Sequence, residues 1–233
     1  MIKVNNISKS YNDTVAVDDI SLEIGTGEIV SFLGANGAGK STAMKIITGI
    51  VSPDKGSVRI FDYDMAEQPL KAKGKTGYLS ENNPLPEDMY VREYLEFVAN
   101  LYKLKNVKNL VSDSLEKFGL KEEYKKKISS LSKGNRQKLG LAQAIIHDPD
   151  FLVLDEPTSA LDPNQQMDIK NIIKDLSKSK IVLFSTHILQ DVVSLASRVI
   201  IVDKGKIMLD EETTKIDSIE NLFYSLTNEN SSR

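Results

Sequence analysis

The chain has 233 residues, enough for one substantial hydrophobic core or a core carrying an inserted subdomain. Its 30 basic and 33 acidic residues leave a net charge of −3, so there is no global attraction to nucleic acid and no nucleic-acid partner is expected. It has no cysteine and only two histidines, His147 and His187, which excludes disulfides and thiolate metal sites and argues against a structural zinc.

The longest apolar runs, such as residues 151–154 and 181–184, are far short of the roughly 20 residues that span a bilayer. No stretch near Met1 has the charged-then-apolar layout of a signal peptide, so the chain is expected to stay on the side of the membrane where it is made.

The first 62 residues read as strands: residues 2–7, 15–24 and 57–61, the last entered through the turn Pro53-Asp54-Lys55-Gly56. Between them a buried strand over residues 28–33 runs into glycine, and the spacing of Met44, Ile47 and Thr48 predicts a helix over 41–50. The middle then changes character. Leu95, Val98, Leu101 and Tyr102 share one helical face, as do Leu110, Val111, Leu115 and Phe118. A third helix is predicted over 134–147, ending before Asp148-Pro149 because the residue before proline disfavours helix. Residues 82–147 thus read as a helical insertion, and Lys125-Lys126-Lys127 within it as a solvated helix end.

Strands at 151–154 and 180–185 alternate with helices at 163–176 and 188–196, the pattern of a parallel sheet. A hairpin follows, 198–203 and 206–209, turned at Lys204-Gly205. From Thr213 the tail is polar with scattered apolar residues, and residues 228–233 read as a frayed end. The expected fold is α/β, with a mostly parallel core formed by residues 1–81 and 148–212 in one domain with the insertion.

Gly34-Ala35-Asn36-Gly37-Ala38-Gly39-Lys40-Ser41-Thr42 fits the pattern G-x-x-x-x-G-K-[ST], placed between a strand and a helix as that pattern requires. Its glycines let successive amides turn inward around phosphate oxygens, and the helix beginning near Ser41 adds its positive end. Lys40 can reach β- and γ-phosphates, and the Ser41 hydroxyl suits Mg²⁺. Farther on, the buried run 151–154 ends in Asp155-Glu156, delivering two carboxylates to the carboxyl end of a parallel sheet, where ligands bind in such folds. Asp155 is the candidate for holding Mg²⁺ and Glu156 the candidate base for an attacking water. Taken alone, the pair could equally be a strand ending in solvated acids.

In this order the motifs resemble those of the nucleotide-binding subunits of ABC transporters, from Tyr11 to about Leu209. The phosphate loop corresponds to that family's Walker A and residues 151–156 to its Walker B. Leu131-Ser132-Lys133-Gly134-Asn135 stands where the family carries its LSGGQ signature, departing at Lys133 and Asn135. The resemblance implies a P-loop NTPase (RecA-like) core with an antiparallel N-terminal β-subdomain and the helical subdomain at 82–147. It further implies head-to-tail dimers in which Ser132, Lys133, Gly134 and Asn135 of one copy cap the γ-phosphate held by the other. Ser132 by itself would read as a helix N-cap. Asp162 closes a segment similar to the D-loop, His187 resembles the switch histidine and Tyr11 the adenine-stacking aromatic. Glu81 aligns with the Q-loop glutamine, a metal-proximal position, with Asn82 or Asn83 as the alternative.

What the resemblance implies about function is ATP hydrolysis with Mg²⁺ on the cytoplasmic face of a membrane. It would drive a separate permease subunit that meets the loop and first helix after Glu81, and it would act as a homodimer or with a paralogous copy. The Gly-Tyr-Leu-Ser-Glu-Asn loop and the Leu-Ser-Lys-Gly form are most similar to subunits of ABC-2-type exporters, including those linked to gliding motility. Two other readings stay open at this point: a soluble ABC ATPase acting on nucleic acid or ribosomes, and a nucleotide switch that does not hydrolyse.

Overall fold

Alternation of apolar and polar residues makes the first strands. In β1 (Ile2–Tyr11) and β2 (Thr14–Ile24) the side chains of Ile2, Val4, Ile20, Leu22 and Ile24 are buried while Ser21 and Glu23 face solvent. The structure, a computed structural model, describes residues 1–228. Of the stretch read as a frayed end, all but Asn228 therefore lies outside the described residues.

After β3 (Ile29–Leu33) and α1 (Lys40–Ile47), β4 (Lys55–Ile60) and β5 (Tyr63–Asp64) complete a four-stranded antiparallel sheet in the order β2-β1-β4-β5. The short α2 (Pro69–Gly74) leads into β6 (Thr76–Leu79). Three longer helices follow, α3 (Val91–Leu101), α4 (Val107–Lys117) and α5 (Lys133–Ile145). Then come β7 (Phe151–Leu154), α6 (Pro163–Ser177), β8 (Ile181–Thr186), α7 (Leu189–Leu195), β9 (Arg198–Asp203), β10 (Lys206–Glu212) and α8 (Ile219–Asn228).

The second sheet has six strands in the order β10-β9-β3-β8-β7-β6, parallel throughout except for the β9–β10 hairpin at one edge. Every residue of β7 and β8 is buried, which explains why both read as continuous runs rather than alternations. Phe32, Met44, Ile47, Val153 and Leu183 belong to the core between this sheet and the first one. On the other side, Leu79, Leu154 and Phe184 join the cluster that holds Leu95, Phe118 and Leu139 of the helical region.

Besides β6, which no sequence pattern announced, three features differ from the sequence reading. The tail is not merely polar: Ile219, Leu222, Phe223 and Leu226 of α8 pack against Leu33, Val192 and Ile201. The β9–β10 turn takes positive φ at Lys204 (47°) as well as Gly205 (79°), so glycine supplies only half of it. And Lys125-Lys126-Lys127 follows a single 3-10 turn, with Lys126 paired to Glu123 and Lys127 bridged to Tyr90, rather than ending an α-helix.

Candidate functional site

Four adjacent parallel strands, β3, β8, β7 and β6, end on one edge of the sheet. Each carries a residue singled out above just past its last ladder position: the loop to Lys40 after β3, His187 after β8, Asp155-Glu156 after β7 and Glu81 after β6. Residues more than a hundred positions apart are thereby brought within hydrogen-bonding reach, at the edge where ligands bind in open α/β sheets.

The phosphate loop is shaped by close backbone approach. Gly39 sits at φ 103° beneath the Ala16 carbonyl, which a Cβ there would meet at 2.3 Å. The β9–β10 turn braces the loop from below, the Gly205 amide donating to Ala38 at 2.9 Å. Gly39 caps α1 without any side-chain bond, and no acidic residue occupies the helix's first turn, so its positive end is left for an anion. Residues Asn36 to Thr42, with Ala16, Glu81 and Glu156, line a cavity of ≈ 340 Å³. It is smaller than other cavities of the molecule, but it has the loop amides and a cation. That cation is Lys40, whose ammonium donates to Gly34 (2.8 Å) and Ala35 (3.0 Å) carbonyls and stands 3.7 Å from Glu156 Oε1. Burial pushes Lys40 below lysine's ordinary value, while Glu156, Asp155 and Glu81 pull it back up.

Asp155 is buried and its Oδ1 accepts from the hydroxyls of Ser41 (3.0 Å) and Ser185 (2.6 Å). Glu156, also buried, stands in the left-handed region at φ 50° and its amide donates to the same Ser185 hydroxyl at 2.8 Å. The imidazole of His187 donates from Nδ1 to Glu156 Oε2 at 2.9 Å. Glu156 thus has Lys40 at one oxygen and His187 at the other.

For Mg²⁺ the donor set fits in kind. Among the described residues no cluster of three carboxylates or imidazoles could hold a metal by itself. What the site offers is one serine hydroxyl and one carboxylate, Ser41 and Asp155, already in contact. That is the sparse protein share expected of an ion that takes its other ligands from phosphate and water.

Glu81 lines the phosphate cavity, whereas Asn83 donates its side-chain amide to the Arg136 carbonyl at 2.8 Å and packs on Gly140 of α5. Of the two loop residues, it is therefore Glu81 that faces the site. Tyr11 is not among the cavity's lining residues; it stands at the end of β1, half exposed, with Lys9 Nζ 5.9 Å from its ring centroid. Asp162 caps α6, accepting from the Gln165 amide at 2.9 Å.

Ser132 caps α5, its hydroxyl accepting from the Asn135 amide at 3.2 Å, and Lys133 beside it is exposed. Gly134 is buried against Gln165 of α6. Two residues that the sequence did not single out complete the surroundings. Ser185 bridges Asp155 and Glu156, and Gln137 of α5 donates to the Pro157 carbonyl at 2.9 Å, linking the helical region to the segment after Glu156. Gln137 lies in no motif that the sequence offered; Ser185 opens the Ser185-Thr186-His187 run that carries the switch-histidine resemblance, in which only His187 was given a role.

Comparison with known proteins places the chain in a family. The family model described as "ABC transporter" matches residues 17–159. The ABC transporter ATP-binding protein NatA of Bacillus subtilis (strain 168) is 34% identical over 216 residues, covering 89% of this chain and 88% of its own. The lantibiotic transport ATP-binding protein SrtF of Streptococcus pyogenes is 32% identical over 224 residues, covering 96% of both. Among solved structures, a dimeric ATP-binding cassette in a post-hydrolysis state, bound to ADP and Pi, superposes with a TM-score of 0.83 at 25% identity, covering 91% of this chain and 98% of that one.

Proposed function

The chain belongs to the ABC transporter family of ATP-binding proteins and is an ATPase of that family; from that premise we propose how its own residues carry out the reaction and with what partners. The observation that carries the reading is the convergence of Lys40, Ser41, Asp155, Glu156 and His187 on one sheet edge, beside the glycine-rich loop that lines the phosphate cavity.

Lys40 donates to the Gly34 and Ala35 carbonyls and stands beside Glu156. A triphosphate tail entering the cavity draws the ammonium toward its β- and γ-oxygens, a stronger charge-assisted contact than neutral carbonyls give. Ser41 and Asp155 would hold Mg²⁺, which when bound neutralises charge on the phosphates. Glu156, released from Lys40, orients the attacking water and accepts its proton. His187, on the other Glu156 oxygen, fixes the direction of that carboxylate and stands next to the γ-phosphate position. Glu81 is the metal-proximal side chain from the fourth strand, and Tyr11 the platform for adenine beyond the phosphate cavity.

In this proposal two copies pack head to tail, so that Ser132, Lys133, Gly134 and Asn135 of one meet the γ-phosphate in the other. The dimeric form of the solved cassette supports it, as does the helix start at Ser132, which has no acidic residue in its first turn. Among the described residues no helix is long and apolar enough to cross a membrane; we place the chain on the cytoplasmic face, attached to a separate permease. A cavity of ≈ 500 Å³ lies between the core and the helical region, with Lys45, Lys73, Tyr78, Asn83, Tyr94 and His147 among its walls and no carboxylate. It lies beside the loop after Glu81 and suits a permease helix that presents an acidic or hydrogen-bonding side chain. Similarity to a lantibiotic transport ATP-binding protein supports the class of exporters.

Glu156→Gln tests the reading. ATP binding should persist while turnover falls by about 10²–10⁴, the contribution of a general base. Turnover at the parental rate would remove Glu156 from the mechanism.

A further inference from the structure

The ladder between β7 and β8 ends at Leu154 and Phe184; past it, Asp155 is held to β6 through the Leu79 carbonyl and Thr186 to β3 through Leu33, each extension on its outer side. Yet the side chains of Glu156 and His187 meet at 2.9 Å. Ser185 fixes one side of this junction through the Glu156 amide. The other side is fixed from α7. Asp191 is 1% exposed, and its Oδ2 accepts from Thr158 Oγ1 at 2.5 Å and Thr186 Oγ1 at 3.2 Å. Thr158 lies two residues after Glu156, and Thr186 immediately before His187. Both threonines are buried.

The geometry points to Asp191 as a positioning residue of the hydrolytic site: one carboxylate oxygen ties the segment carrying Glu156 to the strand end carrying His187. The Thr186 hydroxyl, having donated to Asp191, accepts from the Ile188 amide at 3.0 Å, so the backbone on both sides of His187 is held. On the Glu156 side the chain turns at once, the Ser159 amide donating to the Glu156 carbonyl at 3.2 Å. Glu156 itself keeps a positive φ, a conformation that persists in a non-glycine residue only where its surroundings hold it.

A buried carboxylate needs a counterion. Lys170 of α6 supplies it, 2.5 Å from Asp191 Oδ1, although the approach angle is not that of a hydrogen bond. The charge is therefore neutralised on Oδ1 while Oδ2 binds the two threonines. None of these groups lines the phosphate cavity, so the arrangement bears on the chemical step and not on nucleotide capture.

This inference rests on the assignment of Glu156 and His187 to hydrolysis. Asp191→Ala should lower kcat by about 10- to 100-fold, the scale of a misplaced catalytic group, while KM and nucleotide affinity stay within about twofold. Thr158→Val, which removes one hydroxyl and leaves the Lys170 pair, should give a smaller loss of the same kind; it serves if the alanine variant does not fold. Combined with Glu156→Gln, Asp191→Ala should add no further loss, because it acts through the base. Parental kcat in both single variants, weakened nucleotide affinity with kcat retained, or additive losses in the double variant would each overturn the inference. If Glu156→Gln alone keeps parental turnover, it is the functional reading that fails, and the two failures are distinguishable.

Discussion

Two turns in this molecule are built alike and finished differently. Residues 34–39 lead into α1 and residues 131–132 into α5, and neither helix has an acidic residue in its first turn, where the macrodipole would favour one. Gly39 caps α1 with no side-chain bond, and its loop lines a cavity that also contains Lys40. Ser132 caps α5 with its own hydroxyl and stands exposed. The first turn, with Asp155 and Glu156 beside it, is a nearly complete anion site. The second is exposed at Ser132 and Lys133, as a contribution to another copy's site requires.

The sharpest way to break this comparison is to disable the first turn alone. Lys40→Ala removes the buried cation and should weaken ATP binding by about 2–5 kcal/mol, roughly 30- to 4,000-fold, measured by titration calorimetry. A smaller effect that leaves the first turn alone comes from Ser132→Asp. Aspartate caps a helix as well as serine does, so the fold should be untouched. The new charge would nevertheless face the phosphate brought by the second copy. Turnover should fall by at least about tenfold with ATP binding by the isolated copy unchanged; weakened binding by the isolated copy would mean that the two turns are not separate.

The mildest test concerns the edge of the first site. Glu81→Gln removes one negative charge from the cavity wall and should raise the Mg²⁺ concentration needed for half-maximal turnover by roughly 2- to 10-fold, since ligand charge tunes affinity. An unchanged Mg²⁺ dependence would take Glu81 off the metal.

Much of this was legible in sequence because it is local. A G-x-x-x-x-G-K-S turn needs only its own residues, and the fully buried β7 announces where Asp155 and Glu156 must emerge. What was missed is nonlocal. β6 is four residues with a glycine inside, held by pairing to β7 rather than by any pattern of its own. In α8 the spacing of Ile219, Leu222, Phe223 and Leu226 was present, but Asn221 and Ser225 between them lower helix propensity, and packing on α7 and the sheet decides the outcome. Thr158, Lys170, Thr186 and Asp191 are unremarkable singly; only the crossing of β8 between β3 and β7, with α6 and α7 laid over it, makes them one cluster. Tyr11 shows the converse, a residue whose alignment gave it a role while the cavity geometry bears only on the phosphate end.

The central claim is that the exposed turn at Ser132 completes the phosphate site of a second copy. The chain contains no cysteine, so Asn36→Cys and Ser132→Cys can be introduced as its only thiols, one in each of two differently tagged copies carrying Glu156→Gln. Cross-linking between the two tags should appear on adding ATP and Mg²⁺ and be absent without nucleotide. ATP-bound protein that yields no such link, or a link of equal strength without ATP, would contradict the account.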